Sequence, residues 1–157
     1  MPQINEETVR QFANSQAKSI LAKDPKLISA TLADNCRRFI APVSFMKSMG
    51  LPDDIVKQGS SNEIYEQHFS MQIPFVESTS CDVHDIALDQ QKMKATVHLT
   101  HRIKPVGVEK EFLIKNMILL DFEKEGEKIE KIVEFTDVAE SMKYMQTLQG
   151  LAAGKSE

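Results

Sequence analysis

The sequence predicts an α+β fold: a long, curved antiparallel sheet that closes over an apolar pocket, with helices capping its open side. Three observations predict it. Up to Ile73, apolar residues recur mostly at helical spacing. After Pro74 the texture changes to extended, alternating segments separated by short turns, and the chain then ends on one more helical repeat. Helices segregated to one side of an antiparallel sheet define α+β architecture. A long sheet twists and curls rather than lying flat, and its concave side then needs a cover.

The first helix starts at Asn5, a capping residue, with Glu6 and Glu7 at the positive end of its dipole. Val9, Phe12, Ala13, Ala17, Ile20 and Leu21 form one apolar stripe along it. Asp24-Pro25 ends this helix and opens a second, short one, whose Leu27, Ile28, Thr31 and Leu32 face one way, so the two make a hairpin. Cys36 to Ala41 reads as a strand stopped by Pro42. Val43 to Gly59 reads as an irregular loop carrying Met46, Met49 and Leu51, and apolar loops of this kind flank pockets. Ser60 with Glu63 forms a capping box for a third helix reaching about Ile73. Ile64, His68 and Met71 share one of its faces; Tyr65, Phe69 and Gln72 share the next.

Four strands follow. Ser78–Leu88 and Met93–Lys104 are joined by the turn Asp89-Gln90-Gln91, Glu109–Phe122 lies beyond the Pro105-Val106-Gly107 break, and Lys128–Phe135 follows Glu125-Gly126. Short connections make this an antiparallel meander. Asp137 and Glu140 cap a final helix with Met142, Met145 and Leu148 at helical spacing; Gly150 to Glu157 reads as a frayed tail. With no repeat and no boundary, residues 1–157 read as one domain whose ordered core spans about 5–149.

Composition narrows the function. Of 157 residues 41% are hydrophobic and 27% charged, proportions that support a packed core without staples. Net charge is −4 and the cations are interleaved with carboxylates, so no basic stripe exists to neutralise phosphates and nucleic acid is excluded as a partner. No apolar run approaches the roughly 20 residues of a membrane span. Met1 to Arg10 is acidic and polar where a secretory leader needs a basic start and an apolar stretch. Cys36 and Cys81 lack metal or redox spacing and read as reduced thiols of a cytoplasmic protein.

Three stretches resemble a known family. Cys36-Arg37-Arg38-Phe39-Ile40-Ala41-Pro42-Val43-Ser44-Phe45 is similar to a cysteine, polar pair, apolar, proline, small, serine run of the fungal polyketide cyclase SnoaL-like proteins. So is the helix start Asn62-Glu63-Ile64-Tyr65-Glu66-Gln67-His68. Gly126 to Asp137 matches the family ending G-x-K-I-x-x-I-x-E-F-x-D. The resemblance runs from about Val9 to Leu148, and the three motifs fall within it in this order. The resemblance implies the nuclear transport factor 2-like fold, a cone made of a bent sheet with helices over its mouth. It further implies an isomerase, cyclase or dehydratase acting on terpenoid, alkaloid or polyketide skeletons, without a cofactor and as a homodimer.

Chemistry without a cofactor needs an acid, a base or a charge stabiliser inside a dry cavity. Polar residues that interrupt apolar faces are therefore the candidates, because burying them costs free energy unless something offsets it. His101 breaks the face Ala95, Val97, Leu99, Ile103; it is either a proton shuttle or an edge histidine bonded to a carbonyl. Asn116 breaks the face Phe112, Ile114, Ile118, Leu120, Phe122; it either bonds a substrate oxygen, with Phe112 and Ile118 as apolar wall, or is a structural amide. The family often has tyrosine at this position and an acid at Lys115, so the chain departs from its relatives there. Glu134 falls on the family glutamate and is either a general base with a pKa raised by burial or a surface carboxylate. Arg38 either grips an oxyanion through two bonds or forms an exposed ion pair, and alternation lets only one of Arg37 and Arg38 enter the pocket.

Tyr65 and His68 lie on the third helix, one face of which looks into the cavity, and Met46 joins them as apolar wall. Asp137 is read as a helix cap. His98 and His101 fall on opposite faces of one strand and His84 has no partner in view, so no metal site is predicted. Together these residues predict proton exchange between Glu134 and His101 while Arg38 or Asn116 holds a carbonyl oxygen. The other reading is a non-catalytic binding or dimerisation module of the same fold.

Overall fold

Asn5 accepts a hydrogen bond from the Glu7 amide and starts α1 (Glu6–Ala22) in the computed structural model, which describes residues 1–155. The helix stops where Lys23 takes a left-handed conformation at φ 55°. Its apolar stripe ends one residue earlier than expected: Val9, Phe12, Ala13, Ala17 and Ile20 are buried, but Leu21 faces solvent. Asp24 caps Lys26 as predicted, although Pro25–Ser29 forms a 3-10 turn rather than an α-helix. Thr31 and Leu32 do not extend it. Leu32 already begins β1 (Leu32–Ala41), four residues before the predicted strand.

The predicted loop after Pro42 is two short helices, α2 (Val43–Ser48) and α3 (Asp53–Gln58). Each follows a proline, and neither has a side-chain cap to announce it. Then α4 (Asn62–Ser70) is capped by Ser61, whose Oγ accepts from the Ile64 amide at 3.3 Å; Ser60, the expected cap, instead pairs by backbone with Arg38. A 3-10 turn, Ile73–Phe75, leads into β2 (Val76–Asp89), β3 (Lys94–Pro105), β4 (Phe112–Phe122) and β5 (Ile129–Thr136). Finally α5 (Val138–Lys155) runs five residues past Gly150, where a frayed tail was expected. Ser156 and Glu157, the end of that expected tail, lie outside the described residues.

The sheet order is β1-β5-β4-β3-β2, and β2 to β5 form the predicted antiparallel meander. Strand β1 departs from it by running parallel to β5, with Arg38 opposite Ile132 and Ile40 opposite Glu134. The chain reaches this edge first and returns to it last, so the two motif-bearing segments lie side by side. Irregularities at Val76/Ser78 and Val83/Asp85 bend β2 and help curve the sheet.

The narrow half of the cone is packed solid. Val9, Phe12 and Ala13 from α1 meet Val97, Leu99, Ile118, Leu120 and Ile132 on the concave face. Gly126, from the G-x-K-I motif, sits at φ 79°, and a Cβ there would lie 2.6 Å from the Gln3 carbonyl, so the turn into β5 requires glycine. The wide half is covered by α4 and α5 instead. Ile20, Ile28 and Phe69 form a cluster under α4; Ile103, Phe112, Ile114 and Tyr144 form another under α5. Between these two clusters the concave face stays open.

Candidate active site

Alternation along β3 and β4 behaves as predicted. Ala95, Val97, Leu99, His101 and Ile103 are buried on one face, and so are Phe112, Ile114, Asn116, Ile118, Leu120 and Phe122. On β1, Arg38 is the inward arginine at 6% exposure, while Arg37 points to solvent. The backbone of Arg38 is fixed by two bonds with Ser60, amide to carbonyl at 3.0 Å and carbonyl to amide at 2.8 Å. Glu134 points inward from β5 between them.

These strands bring Arg38, His101 and Glu134 together around a void of about 10 Å³ under α1, at the lower limit for one water molecule. Above it opens a deep lobe of about 180 Å³ that includes His101, Asn116, Glu134, Thr136, Ser141 and Tyr144 in its wall. A second lobe of about 330 Å³ runs beside it, lined by Arg38, Ile40, Met46, Met49, Tyr65 and Phe69 among others. An outer lobe of about 310 Å³ follows under α5, walled by Met71, Phe75, Met145 and Leu148. The Tyr65, Phe69 face of α4 looks inward, as Phe69 is buried and Tyr65 lines the lobes, and Gln72, just beyond the helix end, continues that wall.

Electrostatics follow from burial. The Arg38 guanidinium stacks on the Tyr65 ring, 3.8 Å from its centroid, with the Phe12 ring at 5.7 Å. No ion pair joins Arg38 to Glu134 among the described residues, so their attraction acts through space. Desolvation lowers the pKa of His101 to about 4, assisted by the Arg38 charge, leaving a neutral imidazole near pH 7. Desolvation raises the pKa of Glu134, and Arg38 only partly opposes it. Among the described residues, Arg38 Nη2, His101 Nδ1 and Asn116 Oδ1 are buried without a hydrogen-bond partner in the protein. Buried polar atoms are rarely left so, and three in one neighbourhood mark a place built to meet something else.

Not every predicted residue reaches the hollow. Phe112 packs against Tyr144 in the α5 cluster, with centroids 5.5 Å apart, and leaves the wall to Ile103 and Ile114. Ile118 belongs to the packed core and touches only the small void. His68 is exposed at the rim of the second and outer lobes. Met46 does line the second lobe, from α2. Asp137 caps α5 through the Glu140 amide at 3.1 Å, as predicted. On the convex face, His84 finds partners that the sequence did not offer: Thr100 Oγ1 at 2.7 Å and the His98 ring at 4.8 Å.

Sequence reasoning missed Gln72, Tyr144, Thr136 and Ser141 as site residues. The signal for the last three was present. Ser141, Tyr144, Met145 and Leu148 follow the i, i+3, i+4, i+7 rule, and theirs is the inward stripe of α5, whereas Met142 is 42% exposed. Thr136 lies directly across from Asn116 and contacts Ser141 hydroxyl to hydroxyl at 2.9 Å.

The bent five-stranded sheet with helices over its concave face is the nuclear transport factor 2-like fold. No family model and no curated protein sequence matches the chain. Among solved structures, the fold is shared with BvnE pinacolase from Penicillium brevicompactum, at 17% identity over 92% of this chain and 98% of that one, with a TM-score of 0.68. AusH from Aspergillus nidulans is similar at 18% identity over 87% of each chain, TM-score 0.67. An NTF2-like protein of unknown function from Burkholderia pseudomallei is similar at 17% identity over 88% of this chain and 94% of that one, TM-score 0.60. At such identities the likeness establishes the fold. No described helix is long and apolar enough to cross a membrane.

Proposed function

We propose that the protein is a cofactor-independent isomerase or cyclase, which performs an acid–base rearrangement or ring closure on a hydrophobic secondary metabolite such as a terpenoid, alkaloid or polyketide. One observation carries this reading: Arg38, His101 and Glu134, delivered by three different strands, meet around one buried void, from which His101 and Glu134 face the deep lobe and Arg38 the second. The fold shared with a fungal pinacolase supports it.

Each group suits one task. Glu134, its proton affinity raised by burial, is the general base; it takes a proton from a substrate hydroxyl or from carbon beside a carbonyl. Negative charge then develops on the substrate oxygen, where the free Nη2 of Arg38 stabilises it without ever titrating. Neutral His101 accepts a hydrogen bond at Nδ1 and orients the reacting hydroxyl. Asn116 Oδ1 accepts from a second hydroxyl. The proton held by Glu134 returns to another atom of the same molecule, so no electrons and no cofactor are consumed. Tyr65 and Met46 shape the apolar wall, and His68 guards the rim.

The unpaired thiols Cys36, buried, and Cys81, half-buried, both raised to about 11 by desolvation, suit a reducing cytoplasm. The convex face carries Leu113, Met117, Leu119 and Phe135 at 40 to 46% exposure, which supports a homodimer formed through the sheet. The binding-module reading draws on Asn116, which puts an amide where relatives carry an acidic phenol.

The test is genetic and chemical together. Deleting the gene in its host should make one metabolite accumulate, and the purified protein should convert that compound to an isomer or cyclised product with nothing added. An unchanged metabolite profile would remove the enzyme and leave the binding module.

A further inference from the structure

The deep and outer lobes of the hollow meet at a wall made of three shared residues, Gln72, Tyr144 and Met145. Two of them are tied together. The Tyr144 hydroxyl donates to Gln72 Oε1 at 2.6 Å, linking α5 to the end of α4 across the concave side. Tyr144 is only 6% exposed and is held again by its ring against Phe112. Burial of the Tyr144 hydroxyl shields the bond from water on that side and strengthens it, while Gln72 is half-buried. Met145, by contrast, has a flexible thioether chain that yields to whatever presses on it. The rigid part of the wall is therefore the Gln72–Tyr144 pair. Gln72 also borders the second lobe, so it stands where all three lobes meet.

The lobes on either side differ in chemistry. The deep one holds His101, Asn116 and Glu134; the outer one is mainly apolar. A molecule suited to both is elongated, polar at its reacting end and apolar along its tail. We propose that the Gln72–Tyr144 hydrogen bond is a length gauge. While closed, it bars a bound molecule from passing between the deep and outer lobes; only when it parts can an apolar tail continue from the deep lobe into the outer one. This rests on the reading that the hollow receives an apolar small molecule, and it adds the residues that decide how long that molecule can be.

Straight-chain methyl ketones from heptanone to pentadecanone provide the probe, titrated calorimetrically into the wild-type protein, Tyr144→Phe and Gln72→Ala. Each methylene that enters an apolar wall should tighten binding about fourfold. In the wild type the gain should stop at a definite length. In both variants it should persist for at least two further carbons, so that the longest ketones bind at least about 16-fold more tightly than to wild type. Tyr144→Phe keeps the ring on Phe112 and the volume of the wall; if it melts early, Gln72→Ala decides alone. A plateau at the same length in wild type and variants overturns the gauge while leaving the binding hollow intact. A wild-type protein that binds none of the ketones overturns the small-molecule reading itself, and the gauge with it.

Discussion

The guanidinium carbon of Arg38 sits over the ring of Tyr65, 3.8 Å from its centroid, so a permanent cation from β1 is held by α4 beside His101 and Glu134. Its field disfavours a proton on His101 and favours the charged form of Glu134. Replacing Arg38 with methionine should therefore raise both pKa values. His101 should move up from about 4 yet stay below 6.5, because desolvation is the larger cause. Glu134 should rise further. NMR titration of the His101 ring protons reads this directly, and an unmoved His101 would show that the charge does not reach it.

Stability should depend on pH through His101 in a definite direction. Its folded pKa is about 4 against 6.5 in the unfolded chain, so between these values the unfolded state binds more protons. Stability contributed by the neutral ring is fully present above 6.5 and is lost as pH falls toward 4, by roughly 3 kcal/mol. Glu134 acts oppositely, since its raised pKa withdraws stability as pH rises above 4.5. Denaturant unfolding of His101→Gln at several pH values should show a shallower acid-side decline than wild type. Parallel curves would contradict the burial argument.

Helix α4 offers a test of local chemistry. Ser61 accepts from the Ile64 amide, and Ser60 contributes backbone bonds alone to Arg38. Ser61→Ala should cost about 1 kcal/mol of stability, whereas Ser60→Ala should cost little. Equal losses in urea unfolding would return the cap to Ser60.

On the convex face, Met117 and Phe135 are cross-strand partners, each 46% exposed. Burying them against a second copy favours a dimer by the hydrophobic effect, and placing charges there opposes it. The double substitution Met117→Lys, Phe135→Glu should convert a dimer to a monomer in sedimentation equilibrium while leaving circular dichroism unchanged. A wild-type protein that sediments as a monomer would refute the sheet interface.

Much of the site could be read from the sequence because strand alternation is a local property. The faces of β3 and β4 placed His101 and Asn116 correctly, and the same rule admitted only one of Arg37 and Arg38. It did not say which arginine enters; the structure does. The parallel pairing of β1 with β5 was hidden because it joins residues far apart in the chain, and no turn chemistry records it. Helices α2 and α3 were hidden for the opposite reason. Six residues make too short a pattern to show a period, and proline at the cap position supplies no side-chain bond. Tyr144 was overlooked because its neighbours Met142 and Met145 made a plausible apolar series, although burial selects Ser141 and Tyr144. Gln72 shared a face with Tyr65 and Phe69 in the sequence, but its place at the junction of the lobes depends on α5 packing back across the sheet, which no local pattern records.

Acid–base work by Glu134 inside the hollow is tested most directly by the turnover number of Glu134→Gln on the metabolite that accumulates without the gene. The amide keeps the shape of the carboxyl and removes its proton chemistry, so turnover should fall about 100-fold or more while the compound still binds. Turnover equal to wild type, in a variant with the same melting behaviour, would contradict it.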